Sequence, residues 1–284
     1  MTDTNKNPDL PDHQIRALVQ LLGDENIRVG KTIRARILAL GTLAVPYLHE
    51  VLDHRKAVLR EKAAEMLSSI RRETFAQRFE AFSKGDTDLE EGAFLLAQVA
   101  YPDLNVQDYR HRLDLMSLEL KKCLRTSDDD DETIRIFNHY LFVKLGFRGN
   151  TADYGNPENS YINRVLDRKL GIPISLSALY LFLSRRLDLP VMGVGMPGHF
   201  LLAYGIGSCT QYLDPFNAGQ CLSRDACVRF ITRTGQAWRE DYLAITGDRE
   251  ILARMIRNLI ASYTHLGENT YAERLSKCLK ELVA

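Results

Sequence analysis

Two side chains near the middle of the chain stand at a spacing suited to proton transfer. His199 follows Pro197-Gly198, and Asp214 precedes Pro215. On neighbouring antiparallel strands the two come side by side. An Asp beside a His fixes its tautomer and lets it serve as a general base. A third feature is the segment Pro173 to Ser177, where Gly171-Ile-Pro173 opens an apolar helix running to Leu187. A helix start stabilises a thiolate through its dipole. Helix start, His and Asp together make the layout of a Cys-His-Asp enzyme.

The thiol itself is missing from that layout. The cysteines are Cys123, Cys209, Cys221, Cys227 and Cys278, and none falls at the helix start. Cys209 reads as part of the strand between His199 and Asp214, while Cys221 and Cys227 come after the pair. The nearby hydroxyls are Ser175 and Ser177. Ser175 has two readings. It is first of all a helix N-cap, worth about 1 kcal/mol. It also stands where a nucleophile would use His199 as base and Asp214 as orienting acid. Upstream, Phe147 to Ser160 is a long polar loop rich in Gly and Asn, and long loops in compact domains are often functional. Arg148, Asn159 and Asn163 are therefore candidates to bind a polar or carboxylate-bearing group in the same cleft. Asn residues that only form local turns are the competing reading.

These residues need a scaffold that brings a helix start against a sheet. Pro190 to Gly195, His199 to Tyr204 and Cys209 to Leu213 read as short strands, with a turn at Gly205 to Ser208. A helix followed by successive short strands predicts an α+β fold with an antiparallel sheet. The flanks are helical. Ile15, Leu18, Val19, Leu21 and Leu22 form one apolar stripe at helical spacing, and Ile33, Ile37, Leu38 and Leu40 form another, stopped by Gly41. A helix is expected over Leu59 to Leu67, and Glu73 to Phe82 continues as a helix. The run Ser127 to Glu132 reads as a solvated loop leading into a helix start, where negative charge suits the dipole. Ile134 to Leu145 reads as one helix.

Several segments resemble known families. Leu40 to Ile70 resembles a HEAT repeat, with Gly before a Val-Pro helix start and a charged second helix. Arg249 to Leu266 and Tyr271 to Leu282 resemble a tetratricopeptide hairpin. The centre resembles the transglutaminase core: Gly171-x-x, an apolar helix, Leu187-Asp-Leu-Pro190, His199-Phe200 and Leu213-Asp-Pro215. It is most similar to a SirB-like bacterial branch, through Asn159-Ser-Tyr161, Gly171 to Ser177, Gly198 to Leu201 and Asp214 to Phe216. That resemblance covers roughly Ala93 to Val283. It implies a papain/transglutaminase-like core, a helix packed on a small antiparallel sheet, over residues 87–246. A HEAT-like helical region occupies residues 1–86, and a helical hairpin packed on the core occupies residues 247–284. It also implies that the nucleophile position falls on Pro173, which has no side chain able to attack.

Composition narrows the function classes. Acidic and basic residues balance at 37 each, so no global field favours nucleic acid or an acidic membrane. Arg71-Arg72, Arg185-Arg186 and Arg254/Arg257 read as solvated helix faces rather than a nucleic-acid surface. The polar start, Met1 to Asp12, predicts no signal peptide. No apolar run is long enough to span a bilayer. Without a C-x-x-C pair, neither a zinc site nor a disulfide framework is expected, and His49, Asp53 and His54 lack a ligand ladder. The expectation is a cytoplasmic protein with no cofactor and no metal. Its inherited cleft, lined by Arg148, Asn159, Asn163 and Pro173 beside His199 and Asp214, binds a protein or peptide. The alternative is a hydrolase or acyl transferase that attacks through Ser175.

Overall fold

The computed structural model describes residues 10–24, 26–125, 129–205 and 210–284. The start of the acidic run and the segment 206–209, with Cys209 and most of the expected turn before it, lie outside the described residues. Two compact units divide the chain, Met1–Phe79 and Glu80–Ala284.

The first unit is helical: α1 (Asp12–Gln20), α2 (Ile27–Leu40), α3 (Val45–Glu50) and α4 (Ala57–Lys84), with the division falling inside α4. The Asn26 side chain caps α2 by accepting from the Arg28 and Val29 amides. Gly41 follows α2 at φ 55, a conformation that costs a Gly little. Val19, Leu22, Ile37, Leu48 and Ala63 form its core. Leu21 and Leu38, expected on the buried stripes, are both 44% exposed. Leu21 has left α1 for a 3-10 turn. Leu38 follows the inward Ile37 and is rotated about 100° away from it. The helical stretches Leu59 to Leu67 and Glu73 to Phe82 belong to one continuous helix, α4, and no Gly or Pro interrupts it.

In the second unit, α5 (Leu89–Ala100), α6 (Val106–Leu124) and α7 (Asp130–Asn138) come first. Asp88 and Asp129 cap α5 and α7, each accepting at 2.7 Å from the amide three residues on. The expected single helix to Leu145 changes at His139–Lys144 into a π-helical turn. Next come β1 (Arg148–Gly149), α8 (Ile162–Arg168), β2 (Leu170–Gly171) and α9 (Pro173–Arg186). The sheet uses β3 (Val191–Val194), β4 (Leu201–Tyr204), β5 (Gln211–Asp214) and β6 (Gln220–Leu222). It closes, after α10 (Arg224–Arg233), with β7 (Ile245–Thr246); α11 (Asp248–His265) and α12 (Asn269–Val283) end the chain. The strand order is β6-β5-β4-β3-β7, antiparallel throughout, and β1 pairs with β2 in a short parallel ladder. This is the expected α+β core with helical flanks.

Helix α9 is the axis of the unit. Every residue from Pro173 to Ser184 is buried, against α5, α6, α8, α11 and the strands β3 and β4. A helix apolar on all sides is either a core helix or a membrane span. No helix of the described residues is long and apolar enough to cross a membrane. The end of α9 is tied down by charge. Arg186 pairs with Glu90 and Asp114, and Arg185 pairs with Asp248. Arg185, exposed, and Arg186, partly buried, are thus both ion-pair partners rather than the free solvated face expected from their sequence.

Candidate functional site

His199 is placed by a turn. Gly198 adopts φ 73, and the His199 amide donates to the Met196 carbonyl at 3.3 Å, which swings the chain from β3 into β4. His199 thus precedes β4 by two residues rather than beginning it. The β4–β5 register, with Leu202 opposite Leu213, brings Asp214 alongside. His199 Nε2 lies 2.8 Å from Asp214 Oδ2. Their side chains are 11% and 5% exposed.

Asp214 has further partners. Its Oδ1 accepts from the Phe216 and Asn217 amides at 3.1 and 3.3 Å, and its Oδ2 accepts from Asn217 Nδ2 at 2.8 Å. Burial pushes its pKa up, but the hydrogen bond and charge of His199, together with Asn217, outweigh that and hold it below the ordinary value. An ionised Asp214 accepts a hydrogen bond from Nε2–H, so in the neutral ring Nδ1 is the basic nitrogen. Nδ1 makes no hydrogen bond within the described residues.

Aromatic rings surround the pair. Phe230 lies 5.4 Å from the imidazole, and Phe216 lies edge-on at 6.3 Å. Tyr154, from the long loop, meets Phe216 edge to face at 5.9 Å. Phe216 is wedged against β1: a Cβ on Gly149 would come 2.6 Å from its ring and 2.7 Å from its carbonyl. Arg254 on α11 donates from Nη2 to the His199 carbonyl at 2.8 Å. Phe216 was visible as part of an Asp-Pro-Phe motif. Tyr154, Phe230 and Arg254 carried no such signal, because only tertiary packing brings their elements to His199.

At the helix start, Pro173 takes the first helical position and is buried. Its fixed φ suits that position, and its missing amide removes a donor that would otherwise go unpaired. Ile172 is therefore the N-cap residue, and Ser175 is the third helical residue, not the cap. Ser175 Oγ accepts from the Ile172 amide at 3.0 Å and donates to the Asn159 carbonyl at 2.5 Å. The residue is fully buried. Its hydroxyl closes the helix start onto the loop, and no hydrogen bond joins it to His199. Ser177 is buried as well.

The loop residues separate in the same way. Asn159 is fully buried; its Nδ2 donates to the Asp153 carbonyl at 2.6 Å and its Oδ1 accepts from Asn150 at 3.0 Å. It organises the loop and has little left for a ligand. Asn163 is also buried. Buried Asn159, Asn163 and Pro173 therefore do not line an open cleft. Arg148 is exposed, and its guanidinium has no hydrogen bond or ion pair within the described residues.

The described cysteines offer no activated thiol. Cys227 comes near enough to Asp214 to feel its charge, although in sequence it lies beyond the pair. It is fully buried among Met196, Leu201 and Ile231. Burial, with Asp214 adding to it, pushes its thiol up to about 11, so it stays protonated at neutral pH. Cys278 is buried on α12, while Cys123 and Cys221 are exposed on other elements. Among the described residues, no group of three or more His, Cys, Asp or Glu is placed to hold a metal.

The model of the transglutaminase-like superfamily matches residues 107–257, just over half of the chain. A UPF0162 protein of Xylella fastidiosa is 33% identical over 201 residues, covering 67% of this chain and 70% of that protein. A UPF0162 protein of Vibrio cholerae is 31% identical over 152 residues, 53% of each chain. Human F-box only protein 21 is 28% identical over 244 residues, 74% of this chain but 38% of that protein. No solved structure matches. The matched span contains α9, His199 and Asp214 together, and the chain belongs to the transglutaminase-like superfamily.

Proposed function

We propose that the chain is a non-catalytic module that binds a protein or peptide through the surface around His199. One observation carries this reading. The His199–Asp214 pair is assembled, yet the helix start that should supply a nucleophile holds a buried proline, and Ser175 is bonded into the backbone. What surrounds the pair suits binding. Tyr154 and Phe230 are 50% and 38% exposed, and Phe216 links them to the imidazole. Exposed aromatic rings with a nearby unpaired arginine are the usual anchors of protein recognition. A hydrolase attacking through Ser175 is disfavoured by the burial and the bonds of that hydroxyl.

The test is selection of random peptides against the full chain, followed by calorimetry. Selected peptides should bind at one-to-one stoichiometry. Phe230→Ala should weaken them roughly ten-fold or more, as loss of an aromatic anchor does. Peptides that bind equally well to Phe230→Ala and His199→Ala would place the interface elsewhere and refute the reading.

A further inference from the structure

The arginines that end α9 find acids, but Arg254 does not. Its described contacts are the His199 carbonyl and the ring of Phe200, over which its guanidinium lies at 5.6 Å. It is half-buried, and burial lowers its pKa; Tyr154 opposes that and Arg257, of like charge, adds to it. A half-buried guanidinium without a carboxylate is costly unless something else compensates it. The site is also shaped. Arg254 and Arg257 face a groove of 690 Å³ between β7 and α11, with Gly195, Thr246 and Glu250. A Cβ on Gly195 would come 3.3 Å from Arg254 Nη1, so the glycine gives the guanidinium room. Of the acids in the groove, Asp241 is already bonded to Arg239 at 2.7 Å. Glu250, one turn before Arg254, makes no hydrogen bond or ion pair with either arginine.

We infer that Arg254, with Arg257 at the rim, is a carboxylate-binding subsite beside His199 that takes an acidic side chain or chain end of a bound peptide. This rests on the peptide-binding reading of the surface. One N–H of Arg254 is spent on the His199 carbonyl, and among the described residues the others are unclaimed. A guanidinium presents paired donors whose geometry matches a carboxylate. The anchored carboxylate would sit where the adjoining residues of the peptide reach Phe230 and Phe216.

The arginine Nε–Hε resonances of the full-length chain report on this directly. Three probes are titrated: N-acetylglutamate α-amide, N-acetylglutamine with a free carboxylate, and N-acetylglutamine amide. The Arg254 resonance, assigned by its loss in Arg254→Lys, should move to saturation with at least one acid and not with the amide. The tighter acid tells side chain from chain end. Arg254→Gln should weaken the acids roughly ten-fold or more, and Glu250→Gln should tighten them. If Arg254→Gln does not fold, Arg257→Gln, at an exposed position, should still weaken the acids. Equal response to all three probes, or acids that bind Arg254→Gln unchanged, overturns the subsite. The two readings fail separately. A chain that shows the acid-specific shift but selects no peptide keeps the subsite and loses the peptide-binding function. Selected peptides indifferent to exchange of Glu for Gln do the reverse.

Discussion

His199 and Asp214 are joined through Nε2 and Oδ2 at 2.8 Å, and the carboxylate is held by its own chain as well as by the imidazole. The Phe216 and Asn217 amides and the Asn217 side chain all donate to it. Asp214 is therefore a capping residue of the turn Pro215–Asn217 as well as the partner of His199. The two halves of the pair have unequal structural weight, and this is measurable.

His199→Ala should cost about 1–2 kcal/mol, because Asp214 keeps its other donors. Asp214→Ala should cost about 3–5 kcal/mol, since it leaves the imidazole and the turn amides without their buried acceptor. Urea denaturation of the two variants checks the order. A larger cost for His199→Ala would contradict it.

Asp214 also sets a pH dependence. Its folded pKa lies below the ordinary value, so its contribution is complete above the unfolded pKa of about 3.9 and is lost as pH falls through the folded pKa. The stability gap between the native chain and Asp214→Asn should be constant near neutrality and shrink below about pH 4. Urea midpoints across that range read it. A gap that widens on acidification would show that the folded pKa is raised.

Ser175→Ala separates structure from chemistry. Removing the hydroxyl leaves the buried Asn159 carbonyl with only the longer bond from the Ile172 amide at 3.4 Å, at about 1–3 kcal/mol. Peptide affinity should be unchanged at temperatures where the variant is folded. An unaltered melting temperature with a lost activity would instead make Ser175 a nucleophile.

Gly149→Ala should destabilise by about 1–3 kcal/mol through overpacking. Phe216→Ala should relieve only part of this in the double variant. The added Cβ meets the Phe216 carbonyl as well as its ring, and the truncation leaves the carbonyl in place. A full rescue would mean that the backbone of the turn is free to shift.

Much of this was readable from residue order. The apolar runs at Val191 and Leu201 marked the central strands, and His199 in the turn just before β4 and Asp214 at the end of β5 are brought together by the pairing of those strands. The place of Ser175 was also available: a proline at the first helical position puts Ile172 at the cap and Ser175 three residues later. Other features had no local signal. Two-residue ladders such as β1–β2 and the β7 pairing are too short to leave a period. The π-helical turn at His139–Lys144 keeps a helical pattern. Arg254 reads as a surface residue because its helix looks amphipathic; only the packing of α11 beside the β3–β4 turn half-buries it without an acid.

The central claim is that this surface binds without reacting, and mass analysis tests it most directly. A selected peptide and the full chain are incubated overnight, and both are weighed intact. The account expects both masses unchanged while the complex persists. A cleaved or deamidated peptide, or an acyl adduct on the protein, that disappears in His199→Ala would contradict it.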